Sequence, residues 1–187
     1  GFVLTDAAVE KSWLDAALRE IADESFNMIS VDGETSTNDT FMVLANGASG
    51  AKATSVADLE LLKKGLREVA IDLAISIARD GEGASKLITV CVSGAPDMSI
   101  AREAARLVTT SPLIKSAVHG EDPNWGRILA RLGQAGVQPA CFEKLRVELQ
   151  GVRVFDQGKP LAFDRDDARA RLRSDSVLID VNLGSGP

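Results

Sequence analysis

The feature that most constrains the fold is a long amphipathic helix pattern followed directly by a buried strand pattern. Apolar residues recur at helical spacing from Leu59 to Ile77, with charged residues on the other faces. Gly81 ends this pattern, as a glycine past the last helical turn usually does. The β-branched residues at 87–92 then predict a strand. A helix and a strand in this order favour an α/β (α+β) fold.

The rest of the chain also alternates between helix and strand patterns. Thr5 and Asp6 are expected to cap a first helix, Asp97 a short helix, and Asp122 with Pro123 another. Strands are expected at 41–45, 145–150, 152–155 and 177–183, and a short helix at 166–172. The 187 residues are enough for one buried core. We therefore predict a single α/β or α+β domain, residues 1–187, in which helices cover a sheet.

Both ends of the sequence carry unprotected strand patterns. Residues 1–4 begin as though a strand were already under way, and the chain stops at Pro187 soon after the last strand. A free-standing domain seldom leaves sheet edges exposed. We therefore expect this chain to be one piece of a larger assembly.

Composition excludes several classes of function. A net charge of −6, with no block of Lys and Arg, argues against nucleic-acid binding. No apolar run reaches membrane-spanning length, and no signal peptide is recognisable. The two cysteines, Cys91 and Cys141, lie far apart, and Cys91 is predicted to be a small buried thiol. A reducing cytoplasm fits this pattern best.

Glu82 is the leading candidate for chemistry, because this carboxylate lies between two glycines in a loop. Spacing alone favours a solvated side chain, and the alternative is a carboxylate that pairs with a substrate ammonium. His119 is the only histidine, so a Ser-His-Asp triad could be built only around it, and a structural or solvated role is favoured. Trp125 is expected in the core rather than in a site. The polar loop 36–40 is expected to satisfy its own turn, with the wall of an active site as the alternative.

Four longer segments of the sequence are informative when they are taken together and in their order along the chain. They are Phe2-Val3-Leu4-Thr5-Asp6-Ala7, Asp32-Gly33-Glu34-Thr35-Ser36-Thr37-Asn38-Asp39-Thr40, Asp80-Gly81-Glu82-Gly83-Ala84-Ser85-Lys86 and Gly120-Glu121-Asp122-Pro123-Asn124-Trp125-Gly126-Arg127. With them the sequence resembles, over nearly its whole length, the β chain of the ornithine acetyltransferases (glutamate N-acetyltransferases) of arginine biosynthesis.

This resemblance implies a self-cleaved enzyme. Members of the family cut their precursor before a threonine, and the resulting α and β chains stay together in αβ pairs. The new N-terminal threonine takes the acetyl group from N-acetylornithine and passes it to glutamate, while the α chain supplies an oxyanion hole. The implied fold is a layered sandwich with sheets between helices, completed by the separate α chain. The implied enzyme is cytoplasmic and needs no metal or organic cofactor.

The sequence departs from the family pattern at its ends. The nucleophilic threonine would precede Gly1, and a C-terminal segment with further site residues would follow Pro187, so no catalytic residue maps onto these 187 positions. With this resemblance we expect a chain trimmed at both ends, and the alternative is a degenerate relative. Glu82 is the one substrate-binding residue that the resemblance places here, paired with a substrate amino group. A related amidohydrolase that passes the acyl group to water and a non-catalytic assembly subunit are the alternatives. The use of acetyl-CoA as a further donor stays open.

Overall fold

The alternating patterns fold into a mixture of helices and strands, as the computed structural model of residues 1–186 shows. These residues form two units that divide after Glu82. Each unit has its own hydrophobic core and its own sheet. The α/β class is therefore confirmed, whereas the single domain spanning 1–187 stays a prediction.

The first unit, residues 1–82, packs two helices on a two-stranded sheet. Its elements are β1 (Phe2–Thr5), α1 (Lys11–Glu24), a 3-10 turn (Phe26–Met28), β2 (Met42–Ala45) and α2 (Val56–Arg79). The strands run parallel, with Val3 opposite Val43. Val3 points inward to a core that it shares with Ala17, Ile21, Leu66 and Ala70.

Helix α2 is the helix that the apolar stripe predicts. A capping box opens it: Ser55 Oγ accepts from the backbone N–H of Asp58 at 3.2 Å, and Asp58 accepts in return from the backbone N–H of Ser55. The apolar stripe of α2 extends beyond the helix face that packs against the core. Val69 and Ile77 are 45% and 42% exposed, and Ala70 and Ala74 pack inward between the larger residues.

The predicted cap of the first helix is wrong. Thr5 ends β1, and α1 begins only at Lys11, after Glu10, which makes no side-chain cap hydrogen bond. The helix is delayed because the chain after β1 stays extended and Ala8 forms a parallel bridge with Lys52. The Thr5 hydroxyl oxygen accepts a hydrogen bond from the backbone N–H of Ala7 instead.

The second unit, from Gly83 onward, covers one face of a five-stranded sheet with helices. Its elements are β3 (Leu87–Ser93), α3 (Met98–Thr109), α4 (Pro112–His119), α5 (Trp125–Leu132), α6 (Pro139–Phe142), β4 (Arg146–Leu149), β5 (Val152–Asp156), β6 (Lys159–Pro160), α7 (Arg165–Arg171) and β7 (Ser176–Asn182). The strand order is β3-β7-β4-β5-β6, with β3 and β7 parallel and the other pairs antiparallel.

The core of this unit lies between the sheet and its helices. Val177, Ile179 and Val181 alternate along β7, and each is at most 1% exposed, as the alternation in the sequence predicts. Residues on the opposite face of the sheet are open, among them Cys91 and Leu178. The prediction of a buried Cys91 thiol is therefore wrong, because Cys91 is on the strand face that no helix of this unit covers.

Of two further predicted helix caps, one is confirmed and the other is wrong. Asp97 caps α3 as expected, since its Oδ1 accepts from the backbone N–H of Ile100 at 2.9 Å. Asp122 does not cap α5, which begins at Trp125 after an Asn124 that makes no side-chain cap hydrogen bond. No described helix is both long enough and apolar enough to cross a membrane.

Candidate functional site

Glu82 lies in the loop that follows α2, with glycines on both sides. Gly81 is needed there because a Cβ at this position would lie 2.7 Å from Cγ1 of Val31. Gly83 has a φ of +70°, a conformation that glycine adopts without strain. Glu82 itself is exposed, and its carboxylate makes no hydrogen bond or ion pair with any residue of the described chain. It therefore presents an unpaired negative charge that a cation can approach.

The residues after Gly83 are attached to two helix ends in the second unit. Lys86 Nζ donates to the carbonyl oxygen of Val118 at 3.1 Å and to that of Leu172 at 2.5 Å. Val118 lies in the last turn of α4, and Leu172 is the C-cap of α7. Helix C-termini carry unpaired carbonyls and partial negative charge, so an ammonium is well placed between them.

The two hydrogen bonds of Lys86 were not predictable from the sequence. Its two acceptors lie 32 and 86 positions further along the chain. No periodicity or spacing connects residues so far apart, and a lysine after a glycine-rich run resembles any solvated surface residue. Only the packing of α4 and α7 in the folded unit brings the two carbonyls together.

His119 does not form a Ser-His-Asp triad within residues 1–186. Its Nδ1 lies 3.2 Å from the hydroxyl of Ser85, and both side chains are exposed. In a triad the other ring nitrogen faces a carboxylate that orients the ring. No carboxylate in the described chain bonds to His119, so the contact ties Ser85 to the end of α4 without activating it.

Residues 120–124 form the turn between α4 and α5, and acidic side chains of this turn pair with arginines in and just after α7. Glu121 has a φ of +57°, which is uncommon for a residue other than glycine. Its carboxylate lies 3.8 Å from Arg169 and 3.3 Å from Arg173, and Asp122 lies 3.2 Å from Arg165. These partly exposed ion pairs contribute little stability individually, but together they fix the geometry of the turn.

The other polar and aromatic candidates have structural roles. Trp125 packs against the core of the second unit, with its ring 5.6 Å from that of Phe155, so the prediction of a core residue is confirmed. Loop 36–40 satisfies its own backbone, since Ser36 Oγ accepts from the N–H of Asn38 and Asp39 accepts from the N–H of Ser36. Among the residues described, no group of three or more acidic, His or Cys side chains could hold a metal ion.

The first unit exposes an apolar surface, which we call the open sheet face. It comprises Phe2, Leu4, Met42 and Leu44, which are 69%, 75%, 40% and 51% exposed. A groove of about 490 Å³ adjoins it, bounded by Leu4 of β1 and the first turns of α2, including Leu61. Parallel sheets are normally covered on both faces, so an open face of this composition is unusual.

Comparison with known proteins places the whole chain in one family. A sequence model of the ArgJ family matches residues 1–187. The Arginine biosynthesis bifunctional protein ArgJ of Symbiobacterium thermophilum is 50% identical over 190 residues, covering 100% of this chain and 46% of that protein. Its counterpart from Thermus thermophilus is 46% identical over 189 residues, covering 99% of this chain and 47% of the relative.

A solved structure agrees with these matches. The crystal structure of Arginine biosynthesis bifunctional protein argJ from Bacillus halodurans has a TM-score of 0.93 to this chain at 39% identity, covering 99% of this chain and 88% of that one. This chain thus spans about half the length of the curated relatives it matches. The resemblance predicted from the four segments is confirmed: the chain belongs to the ArgJ family.

Proposed function

We propose that this chain is the β-chain portion of an acetyltransferase that moves an acetyl group from N2-acetylornithine to glutamate in arginine biosynthesis. The observation that carries this proposal is the match to the ArgJ family along the entire chain. Relatives from several bacteria are named as arginine biosynthesis proteins, which supports the same pathway here. The unpaired carboxylate of Glu82 supports a substrate that carries an amine.

In the proposed reaction a threonine outside residues 1–187 is the nucleophile. Its hydroxyl attacks the acetyl carbonyl of N2-acetylornithine, the amide C–N bond breaks, and ornithine leaves with a proton on its α-amine. The α-amine of glutamate then attacks the acetyl ester and restores the threonine hydroxyl. Two acyl transfers of moderate difficulty thereby replace one difficult transfer.

The proposed role of Glu82 is to bind the side-chain ammonium of N2-acetylornithine. A hydrogen bond between two ionised groups is shorter and stronger than a neutral one, so it fixes the orientation of the donor. The glycines on both sides leave room for the ammonium to reach the carboxylate. The pairing would act on binding and orientation, since Glu82 takes no part in the bonds that form and break.

A second activity is proposed for the same complete enzyme. The relatives are named bifunctional, and this word supports two activities rather than one. We propose that acetyl-CoA also acylates the threonine, which would allow the net N-acetylation of glutamate. We place the enzyme in the cytoplasm, where the two free thiols of Cys91 and Cys141 would stay reduced.

The proposed partner is an α chain made from the same precursor. The chain covers 46% of the S. thermophilum protein but 88% of the solved B. halodurans chain. The solved chain is therefore itself about half the length of the curated relatives, as expected for a protein made of two chains. We propose that the α chain covers the open sheet face, where four adjacent apolar side chains are otherwise left in water.

The reaction is tested with the complete precursor, purified after cleavage and incubated with N2-acetylornithine carrying an isotopically labelled acetyl group. The expected results are a second chain in the native mass spectrum, a mass gain of one acetyl group on the longer chain that contains residues 1–187, and labelled acetylglutamate when glutamate is added. Labelled free acetate in place of acetylglutamate would favour the amidohydrolase. A chain that never gains the acetyl group would favour the assembly subunit.

Association with the α chain is tested by placing charge on the open sheet face. The double variant Leu4→Asp with Leu44→Asp is expected to abolish the two-chain complex in size-exclusion chromatography, because burying an unpaired carboxylate against apolar partner atoms costs more than the roughly 2–7 kcal/mol of an unpaired neutral polar group. The matched control carries Leu113→Asp and Leu161→Asp, two leucines of the second unit that are 55% and 38% exposed. Equal loss of association in both variants would contradict the assignment of this face.

A further inference from the structure

Strand β3 forms one edge of the five-stranded sheet, and no other strand of the described chain pairs with its outer side. The backbone groups of its first and last residues bond to the chain of β7 on the inner side. Since backbone groups alternate in direction along a strand, the N–H and C=O groups of Ile88, Val90 and Val92 point to the outer side. Three donors and three acceptors are therefore open to a further strand.

The side chains of β3 also lack a neighbour on the outer side. Ile88, Val90 and Val92 pack against the same core as the inward residues of β7, but they are only partly buried. On β7, which has a strand on each side, the inward residues Val177, Ile179 and Val181 are at most 1% exposed. A neighbouring strand with apolar inward residues would bury the three side chains of β3 in the same way.

The two edges of this sheet are not equally protected. The opposite edge is β6, which has two residues, one of them Pro160, and a proline cannot donate to a further strand. Strand β3 has seven residues and contains no proline or charged residue. Natural proteins seldom leave such a strand open, because it pairs with other chains and aggregates. A permanent neighbour of β3 is therefore expected in the complete protein.

The chain that follows β7 lies against the C-terminal end of β3. The backbone N–H of Leu183 donates to the carbonyl oxygen of Ser93 at 2.9 Å. The backbone N–H groups of Ser185 and Gly186 donate to the carbonyl oxygen of Gly94 at 2.8 and 2.9 Å. From this point the outer edge of β3 is only one strand spacing away, about 4.8 Å.

We propose that residues following position 187 in the longer chain form a further strand on the outer edge of β3. This inference rests on the proposed function, in which residues 1–187 belong to a longer chain. The solved B. halodurans chain also has residues that this chain does not match, since 88% of it is covered. The added strand starts beside the C-terminal end of β3 and therefore runs antiparallel to it. Its inward residues are apolar, and its outward residues lie beside Cys91.

Disulfide formation with Cys91 tests this strand in the complete two-chain enzyme. Cys91 is exposed, and its backbone faces β7, so its partner on an outer antiparallel strand has a Cα atom about 4.5 Å away. This distance suits a disulfide. A single cysteine is placed in turn at each position after 187, and the oxidised chain is mapped by mass spectrometry. We expect a disulfide within the chain at one position and, more weakly, two positions away, because alternate residues share a face.

Two variants of β3 are the matched controls. Cys91→Ser is expected to abolish the disulfide at every position. Thr89→Cys in the Cys91→Ser background places the thiol two residues earlier on the same exposed face. In an antiparallel pair the preferred partner then moves two positions later in the added strand, whereas in a parallel pair it moves two positions earlier.

Amide hydrogen exchange measures the same edge without any substitution. In the complete enzyme the amides of Ile88, Val90 and Val92 are expected to exchange at least about a hundredfold more slowly than in an unstructured peptide. A stop codon after position 187 is expected to remove this protection and to leave the amides of Thr89 and Cys91, which face β7, protected.

The outcomes distinguish this inference from the proposed function. The inference is overturned by fast exchange at the outward amides of β3, by the absence of any disulfide, or by a disulfide that joins Cys91 to the α chain or to a second copy. If labelled acetylglutamate is still formed in these cases, the proposed function stands. A disulfide in the antiparallel register, in a chain that never gains the acetyl group, would reject the proposed function and leave the added strand.

Discussion

Replacing Glu82 by Gln in the complete two-chain enzyme is expected to raise the KM for N2-acetylornithine about 10- to 100-fold. A hydrogen bond to a charged group contributes about 1.5–3 kcal/mol, and Gln keeps the shape of the side chain while removing its charge. Turnover at saturating donor should change less, because the role proposed for Glu82 is to bind the ammonium and not to take part in acyl transfer. Steady-state kinetics with both substrates varied measures the two effects separately.

Asp80→Asn provides the control for this change. Asp80 is an exposed carboxylate two residues earlier, at the C-cap of α2, so its loss alters the local charge by the same amount. Its variant should keep a KM near that of the unmodified enzyme. The assignment of Glu82 would be wrong if Glu82→Gln left the kinetics with N2-acetylornithine unchanged, or if both variants raised the KM alike.

Ile179→Ala is expected to destabilise the second unit by about 3–4 kcal/mol. Ile179 is 0% exposed in the middle of β7, so its removal leaves a cavity between the sheet and its helices. Urea unfolding of the isolated chain, followed by the fluorescence of Trp125 in a Trp13→Phe background, measures this effect. Trp125 packs against Phe155 in the same core, so its signal reports on this unit.

Leu178→Ala is the matched control, since it removes the same number of carbon atoms one position away. Leu178 is 40% exposed on the open side of the strand, so its loss should cost about 1 kcal/mol or less. Similar destabilisation by the two variants would mean that the burial pattern of β7 is not the one described.

Elements with a local signal were predictable from sequence. The stripe of α2, the β-branched run of β3 and the alternation of β7 each repeat with the period of their structure, so pattern alone placed them. The cap at Asp97 was also predictable, because an N-cap side chain bonds only to the first turn of its own helix.

Features that depend on distant contacts were not predictable. Thr5 and Asp6 have good capping side chains, but the bridge from Ala8 to Lys52 keeps this segment extended. The exposure of Cys91 to solvent depends on which face of the sheet the helices cover. The hydrogen bonds of Lys86 depend on two helices whose positions are fixed only in the folded unit.

The loop of Glu82 was predictable from the sequence, but its ligand was not. Its loop could be recognised in the sequence from two glycines and the end of a helix pattern, and the structure places it where that pattern ends. Its proposed substrate comes from the family resemblance, since an exposed carboxylate has no geometry that selects one ammonium over another. Selectivity requires further groups around the ligand, and we propose that the α chain supplies them.

The position of β7 determines when the second unit can form during synthesis. This strand pairs with β3 on one side and β4 on the other, although it follows both of them in the sequence. On the ribosome, β3 and the β4–β5 hairpin have no common neighbour until residues 176–182 leave the exit tunnel. The nascent chain therefore exposes half-covered apolar strands while residues 94–182 are made, and this is when chaperones would bind it.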